Sequence, residues 1–250
     1  MPSNLSFKKH VTTGQFYTQI HSEIFERALT TKPPTVEEFL NWLNANVKTP
    51  ELLSALDAGC GAHALNTRSC LEYGFRKVEA IDINPDAIRL NSDISVTQGS
   101  VLDIPFPDAS FDFVICSGVI HHTPVPETVI RELGRVLVRG GQAYISIYAF
   151  RHSLFHIIVI GLRVLARVLP FRSVHRIFGS IPAANNFFLD HAYVPILWLF
   201  RNHEIKSLLM KYGFEIENDF PTSFDKFSNG FFGKLLTGGG LMRIYVCRKK

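Results

Sequence analysis

After position 50 the chain alternates short apolar runs, each closed by glycine, an acid or a turn residue, with stretches whose apolar residues recur every three or four positions. Runs near 53–57, 77–83, 95–98, 111–117 and 141–148 read as strands, and 65–73, 85–91 and 126–137 read as helices. In the last of these, Val129, Ile130, Leu133, Val136 and Leu137 share one face, and Gly140-Gly141 is placed to stop it. Strands this apolar must be covered on both faces, so the alternation predicts an α/β fold with a mostly parallel sheet between layers of helices.

The flanks break this rhythm. Upstream, 18–29 carries Ile20, Ile24, Ala28 and Leu29 at helical spacing, and Thr35-Val36-Glu37-Glu38 reads as the capping-box start of a helix through Leu40 and Leu43. Downstream, Ile157, Ile160, Val164, Leu165 and Val168 belong to a helix apolar around most of its circumference, with Arg163 and Arg167 one turn apart. Such a helix suits a buried lid, an apolar acceptor pocket with arginines near an anionic group, or weak contact with a membrane surface. Asn202 then caps a helix over Ile205, Leu208 and Leu209 that stops at Gly213, and strands near 214–217 and 241–248 finish the sheet. The expected organisation is one domain, 1–250. Cap helices occupy 1–50, the ligand-binding core 51–150, a substrate-side insert 151–201, and the final helix and two strands 202–250.

Composition narrows the class. The 250 residues are 46% hydrophobic and 19% charged, the balance of a folded chain and not of a disordered one. A net charge of +4, with no window of five or six like charges, gives no reason to expect a nucleic-acid partner. Cys60, Cys70, Cys116 and Cys247 form no Cys-x-x-Cys pair, so no metal site is expected and the thiols read as reduced, in the cytoplasm. No apolar run in the first nine residues could serve as a signal peptide. The stretch 153–162, interrupted by His156, falls short of the roughly 20 residues a membrane span needs.

The chemistry concentrates where the first strand ends. Ala55-Leu56-Asp57-Ala58-Gly59-Cys60-Gly61-Ala62 is an apolar strand turning through glycines into a helix. Gly59 and Gly61 permit close backbone approach to a ligand, and the helix start offers free N–H groups. Tight turns after strands use glycine in any case, so this pair alone is ambiguous. Asp82, which closes the next strand 21 residues after Gly61, changes that, because an acid there can accept both hydroxyls of a ribose. Two adenosyl ligands then compete, a dinucleotide and S-adenosylmethionine (SAM). A carboxylate beside a pyrophosphate is repulsive, whereas SAM brings an ammonium and a sulfonium; Asp57, directly before the glycines, favours SAM over NAD.

These segments, with the run 98–112, Val114-Ile-Cys-Ser-Gly-Val-Ile-His-His-Thr-Pro124 and Arg135-Val-Leu-Val-Arg-Gly-Gly141, resemble class I SAM-dependent methyltransferases. The nearest flavour is the small-molecule branch that includes ubiquinone- and menaquinone-pathway enzymes, and the resemblance covers roughly 53–150. It implies a Rossmann-like, seven-stranded sheet with an antiparallel last strand. It also implies that Asp57, Gly59, Cys60 and Gly61 surround the methionine part of SAM, and that Asp82 holds the ribose with Ile83 against the adenine. Ser100 and Val101 would lie along the adenine edge, and Ser117 and Gly118 on the sulfonium side. Two positions depart from the pattern: His63 stands where relatives often have a third glycine, and Ser100 where many have an acid.

Methyl transfer needs alignment of the partners and sometimes removal of a proton. His121 and His122 follow the fourth strand on the acceptor side, where a histidine can act as general base or shape the loop. Asp190, His191 and Tyr193 are the insert's candidates for facing the acceptor. An NAD-dependent oxidoreductase and a non-catalytic SAM-binding protein are the alternatives.

Overall fold

A computed structural model describes residues 3–4, 34–149, 157, 160–161, 163–164, 194–222 and 242–250. Seven strands form one sheet: β2 (Ser54–Ala58), β3 (Lys77–Asp82), β4 (Val96–Gln98), β5 (Phe111–Ser117), β6 (Leu137–Tyr148), β8 (Phe214–Pro221) and β9 (Met242–Lys249). Their order is β4-β3-β2-β5-β6-β9-β8. The first five are parallel, and β9, the last strand in the chain, runs antiparallel between β6 and β8. This is a Rossmann-like arrangement, a mostly parallel sheet with an antiparallel last strand. A separate two-residue strand, β1 (Ser3–Asn4), pairs antiparallel with β7 (Trp198–Leu199).

The period-2 alternation of each strand sorts its side chains between two layers. Leu56, Ala58, Val114, Cys116 and Ile145 face α4 (Pro126–Val136) and α5 (Asn202–Lys211). Ala55, Phe113, Ile115 and Tyr144 face α1 (Pro34–Asn46) and α2 (Leu65–Tyr73). A further short helix, α3 (Pro85–Leu90), follows β3; the Asn84 side chain caps it by accepting the Asp86 N–H at 3.0 Å.

Several expectations are corrected. The helix through Leu40 and Leu43 is a layer of the core, not a cover: Trp42 stacks on Phe113 at 5.7 Å, and Phe39 lies 4.9 Å from Tyr144. It also begins at Pro34, where a missing N–H costs nothing, so Thr35 lies inside the first turn and is not the cap. Gly140-Gly141 does not stop α4. Leu137 already has extended geometry and enters β6 directly, and Gly140, at φ +79°, lies where the pairing with β5 shifts register. Gly141 is required by crowding, since a Cβ there would stand 3.0 Å from the Asp112 carbonyl. Asn202 is not the cap of α5. Arg201 is, with the Glu204 carboxylate accepting its N–H at 2.9 Å, and Asn202 instead accepts the Tyr245 hydroxyl at 2.8 Å.

The helix expected over 18–29 and most of 151–193 lie outside the described residues. Of the apolar helix, Ile157 and Val164 are 67% and 57% exposed, while Arg163 is 1% exposed, an inversion of the usual pattern. The end of the expected insert, residues 194–200, is packed: Val194, Leu197, Leu199 and Phe200 are buried beside β6.

Two side-chain clamps hold the loops around the sheet. Asp112 accepts the N–H and hydroxyl of Ser54 at 2.9 and 2.8 Å, tying β5 to the start of β2. Arg135 of α4 pairs with Glu132 and Asp108 and donates to the carbonyls of Ile104 and Phe106, fixing the 104–108 loop. The α1 layer gives a direct test. Trp42→Ala removes a ring stacked on Phe113 and tilted against Tyr144 and should cost about 3–5 kcal/mol, read as a lowered urea midpoint with an unchanged slope.

Candidate functional site

The neighbours β4, β3, β2 and β5 bring sequence-distant candidates to one edge, at the carboxyl ends of parallel strands where open α/β sheets bind ligands. Asp57 is the penultimate residue of β2, opposite Ala80 and Ile115; Asp82 ends β3, Ser100 follows β4, Ser117 ends β5 and Gly118 follows it.

The glycine loop is held in place by its own backbone. Gly59 (φ +87°) and Cys60 both donate to the Ile81 carbonyl, at 2.8 and 3.1 Å, and Gly61 (φ +69°) donates to the Asp82 carboxylate at 2.8 Å. The expectation of free amides is therefore corrected at these three positions. A pyrophosphate would have found no run of open N–H donors here. The glycine at 59 answers a steric demand, because a Cβ there would stand 2.5 Å from Val119 Cγ2; the space at Gly61 is open. Beyond the loop, Asn91 donates to the Ala62 carbonyl at 2.7 Å and accepts from Arg68 at 3.0 Å.

The two acids differ in their surroundings. Asp57 is fully buried; Oδ2 accepts the Thr67 hydroxyl at 2.8 Å, and Oδ1 has no hydrogen-bond partner among the described residues. Burial pushes its carboxyl from 3.8 up to about 7, against the pull of the Thr67 hydroxyl and with a further push from the Asp82 charge. Asp82 is half-buried and accepts the N–H groups of Gly61 and Asn84, both at 2.8 Å. Its carboxyl is also raised, by desolvation first, with those backbone donors opposing. Cys60, half-buried in the loop, has its thiol pushed well up by burial and the two acids. Ile83, beside Asp82, is 39% exposed and presents an apolar surface at the edge.

The remaining candidates divide. Ser100 stands at the edge, but its hydroxyl accepts the Leu102 N–H at 3.1 Å within a turn, and the Val101 side chain is buried in the core. Ser117 pairs its hydroxyl with that of Ser146 at 2.9 Å, and Gly118 (φ +77°) donates to the Ser146 carbonyl. His121 and His122 are both buried. His121 Nδ1 accepts the Tyr148 N–H at 3.3 Å, and His122 Nδ1 lies 2.9 Å from the Ile196 carbonyl, to which it donates. Each ring therefore commits Nδ1 to backbone within a buried turn. Asp190, His191 and Tyr193 lie outside the described residues. Among those described, no His/Cys/Asp/Glu group could hold a metal, and no helix is long and apolar enough to cross a membrane.

Residues 56–145 match the family model described as a methyltransferase domain. The match makes 56–145, less than half of the chain, similar to a methyltransferase domain. Its curated relatives include ubiquinone biosynthesis O-methyltransferases. That of Xanthomonas oryzae pv. oryzae is 33% identical over 129 residues, covering 48% of this chain and 53% of the relative. That of Xanthomonas axonopodis pv. citri is 31% identical over 140 residues, covering 52% and 57%. The chain thus spans about half the length of the curated relatives it matches. Among solved structures, a SAM-dependent methyltransferase of Thermotoga maritima superposes with a TM-score of 0.60 at 16% identity, over 95% of this chain and 100% of that one. A Burkholderia thailandensis 1,6-didemethyltoxoflavin-N1-methyltransferase, bound to its substrate and S-adenosylhomocysteine, gives 0.59 at 17% identity, over 100% and 96%. At these identities the likeness is one of fold.

The site also depends on residues that sequence reading passes over. Thr67, Asn91, Val119, Ser146 and Trp198 act through contacts made only in the folded state; Trp198 donates to the Thr123 carbonyl at 2.9 Å. Thr67 left one trace, a hydroxyl at a fully buried position of α2.

Two outcomes follow from this geometry. Gly59→Ala should cost about 1–3 kcal/mol from the positive φ and the Val119 contact together, and Gly61→Ala, with open space, about 1–2 kcal/mol from φ alone. Val119→Ala in the Gly59→Ala background should recover part of that loss, seen as non-additivity in a chemical-denaturation cycle. Separately, native Asp57 holds a proton that the unfolded chain has released between pH 3.8 and about 7, so its protonation stabilises the fold at low pH and that contribution fades as pH rises to about 7. Asp57→Asn has no such slope. Measured by urea unfolding, the variant should gain on the wild type by on the order of 3 kcal/mol between pH 5 and pH 8.

Proposed function

We propose that this chain is a cytoplasmic, SAM-dependent methyltransferase acting on a small, partly apolar organic acceptor. The observation that carries this reading is Asp57, a buried carboxylate under the glycine loop with one oxygen unpartnered among the described residues. A buried ionised acid is costly unless it meets a cation, and SAM brings two cationic centres. The three committed loop amides argue against a dinucleotide in the same place.

SAM supplies an already activated methyl group when bound. Around it, Asp57, Gly59, Cys60 and Gly61 would enclose the methionine end. Asp82 retains lone pairs for ribose hydroxyls beyond its two backbone partners, and Ile83 offers its exposed side chain to the adenine. Ser100 and the Val101 backbone would border the adenine, and Ser117 and Gly118 the sulfonium. His121 and His122 hold the acceptor-side turn, fastening Ile120–His122 to Tyr148 and Ile196. The chain's work is alignment and exclusion of water. The curated relatives' names support a small-molecule acceptor, and the four unbridged cysteines support a reducing compartment.

SAM or S-adenosylhomocysteine should raise the melting temperature, and NAD should not. Asp82→Ala should weaken S-adenosylhomocysteine binding tenfold or more by calorimetry, corresponding to charged hydrogen bonds worth roughly 1.5–3 kcal/mol. Failure of both SAM and S-adenosylhomocysteine to bind at millimolar concentration would overturn the reading.

A further inference from the structure

Asp82 and the glycine loop are joined twice, once directly and once by a longer route. Directly, Gly61 donates to Oδ2 of Asp82 at 2.8 Å. By the longer route, the Asn84 N–H donates to Oδ1 at 2.8 Å, Asn84 caps the start of α3, and Asn91 stands at its other end. The Asn91 side chain then reaches back to the loop, donating one amide hydrogen to the Ala62 carbonyl and the other to the Ala87 carbonyl, both at 2.7 Å. Asp82, α3, Asn91, Ala62 and Gly61 thus make a closed ring in which both carboxylate oxygens take part.

Asn91 is 2% exposed, and its remaining polar atom, Oδ1, accepts from Arg68 of α2 at 3.0 Å. Arg68 donates in turn to both oxygens of Asp93, at 2.7 and 2.8 Å. A buried amide committed at its oxygen and its nitrogen is fixed in one orientation, so it holds the Ala62 carbonyl in one place. The loop needs a hold at this point. Ala64, which leads into α2, stands at φ +45°, a conformation that side chains resist, and no side chain caps the helix start. The loop's own turn bond, from the Ala64 N–H to the Gly61 carbonyl, is long at 3.3 Å.

We infer that Asn91 is a positioning residue for the donor: acting through the Ala62 carbonyl, it sets where the second half of the glycine loop stands relative to Asp82. The inference rests on the methyltransferase reading, in which the loop takes the methionine end and Asp82 the ribose, and adds the residue that fixes the two parts against each other. Loss of Asn91 weakens a ligand that spans both parts and spares one that engages Asp82 alone. Arg68, which orients the amide from a more exposed position, has the same effect in smaller measure.

The test compares two probes by calorimetry on the full chain. S-adenosylhomocysteine spans both parts; 5′-methylthioadenosine keeps the adenosine and lacks the amino-acid end. Asn91→Ala should weaken S-adenosylhomocysteine about tenfold and leave 5′-methylthioadenosine within about twofold. Asn91→Asp keeps the shape and the Arg68 partner but loses both donors, and should behave like Asn91→Ala. Arg68→Ala should weaken S-adenosylhomocysteine about threefold, again sparing the smaller probe. Loss of fold lowers the binding stoichiometry of both probes together, whereas a displaced loop changes the ratio of their affinities. Where the Asn91 variants do not fold, Arg68→Ala decides. Equal weakening of the two probes, unchanged S-adenosylhomocysteine affinity in the folded variants, or a wild type that binds S-adenosylhomocysteine but not 5′-methylthioadenosine would overturn the proposal while leaving the methyltransferase reading intact. A wild type that binds neither SAM nor S-adenosylhomocysteine would overturn both.

Discussion

The parallel pairing of β2 between β3 and β5 is the constraint on which the site depends. Every residue of β2 is buried, and its register sets Asp57 opposite Ala80 on one side and Ile115 on the other. Because β3 is next in the sheet, its last residue, Asp82, arrives at the same edge and within reach of the Gly61 amide. The glycine loop is then a consequence of the sheet: its first two amides bond the Ile81 carbonyl at the end of β3. A site assembled this way is rigid because the strands beneath it are.

Burial of polar groups is handled differently in the two halves of the molecule. At the amino ends of the strands, Asp112 is met by the N–H and hydroxyl of Ser54, and beneath α4 Arg135 is met by two acids and two carbonyls. Those groups close the structure. At the carboxyl ends, Asp57 keeps an oxygen unmatched among the described residues, under the loop. Holding such an oxygen in the interior costs stability, and a chain tolerates that cost where a ligand is to complete the arrangement.

How far the sequence foretold this depended on the kind of contact involved. Strand 111–117 and helix 65–73 were legible to the residue, because β5 is apolar at every position but Asp112 and Ser117 and the helix ends at Gly74. Asp57 and Asp82 were legible because a strand–turn–helix–strand unit fixes the spacing of its two strand ends. Gly140-Gly141 misled because glycine marks both helix ends and irregular strands, and here it served a register shift in β6. His121-His122 suggested a base by position alone. Their burial, and their bonds to Tyr148 and Ile196, are products of chain segments up to 74 residues away that no local pattern announces. Thr67, Asn91 and Val119 were silent for the same reason.

The close approach of Gly59 and Val119 joins the glycine loop to the turn that follows β5. It has no charge and no directional bond, only the fact that two atoms cannot share one space. Its consequence is historical as much as mechanical. A lineage descending from this chain can enlarge residue 119 only while 59 stays glycine, and can add a side chain at 59 only after 119 has shrunk. The turn after β5 can diversify, but at this point it does so with the glycine loop as its boundary.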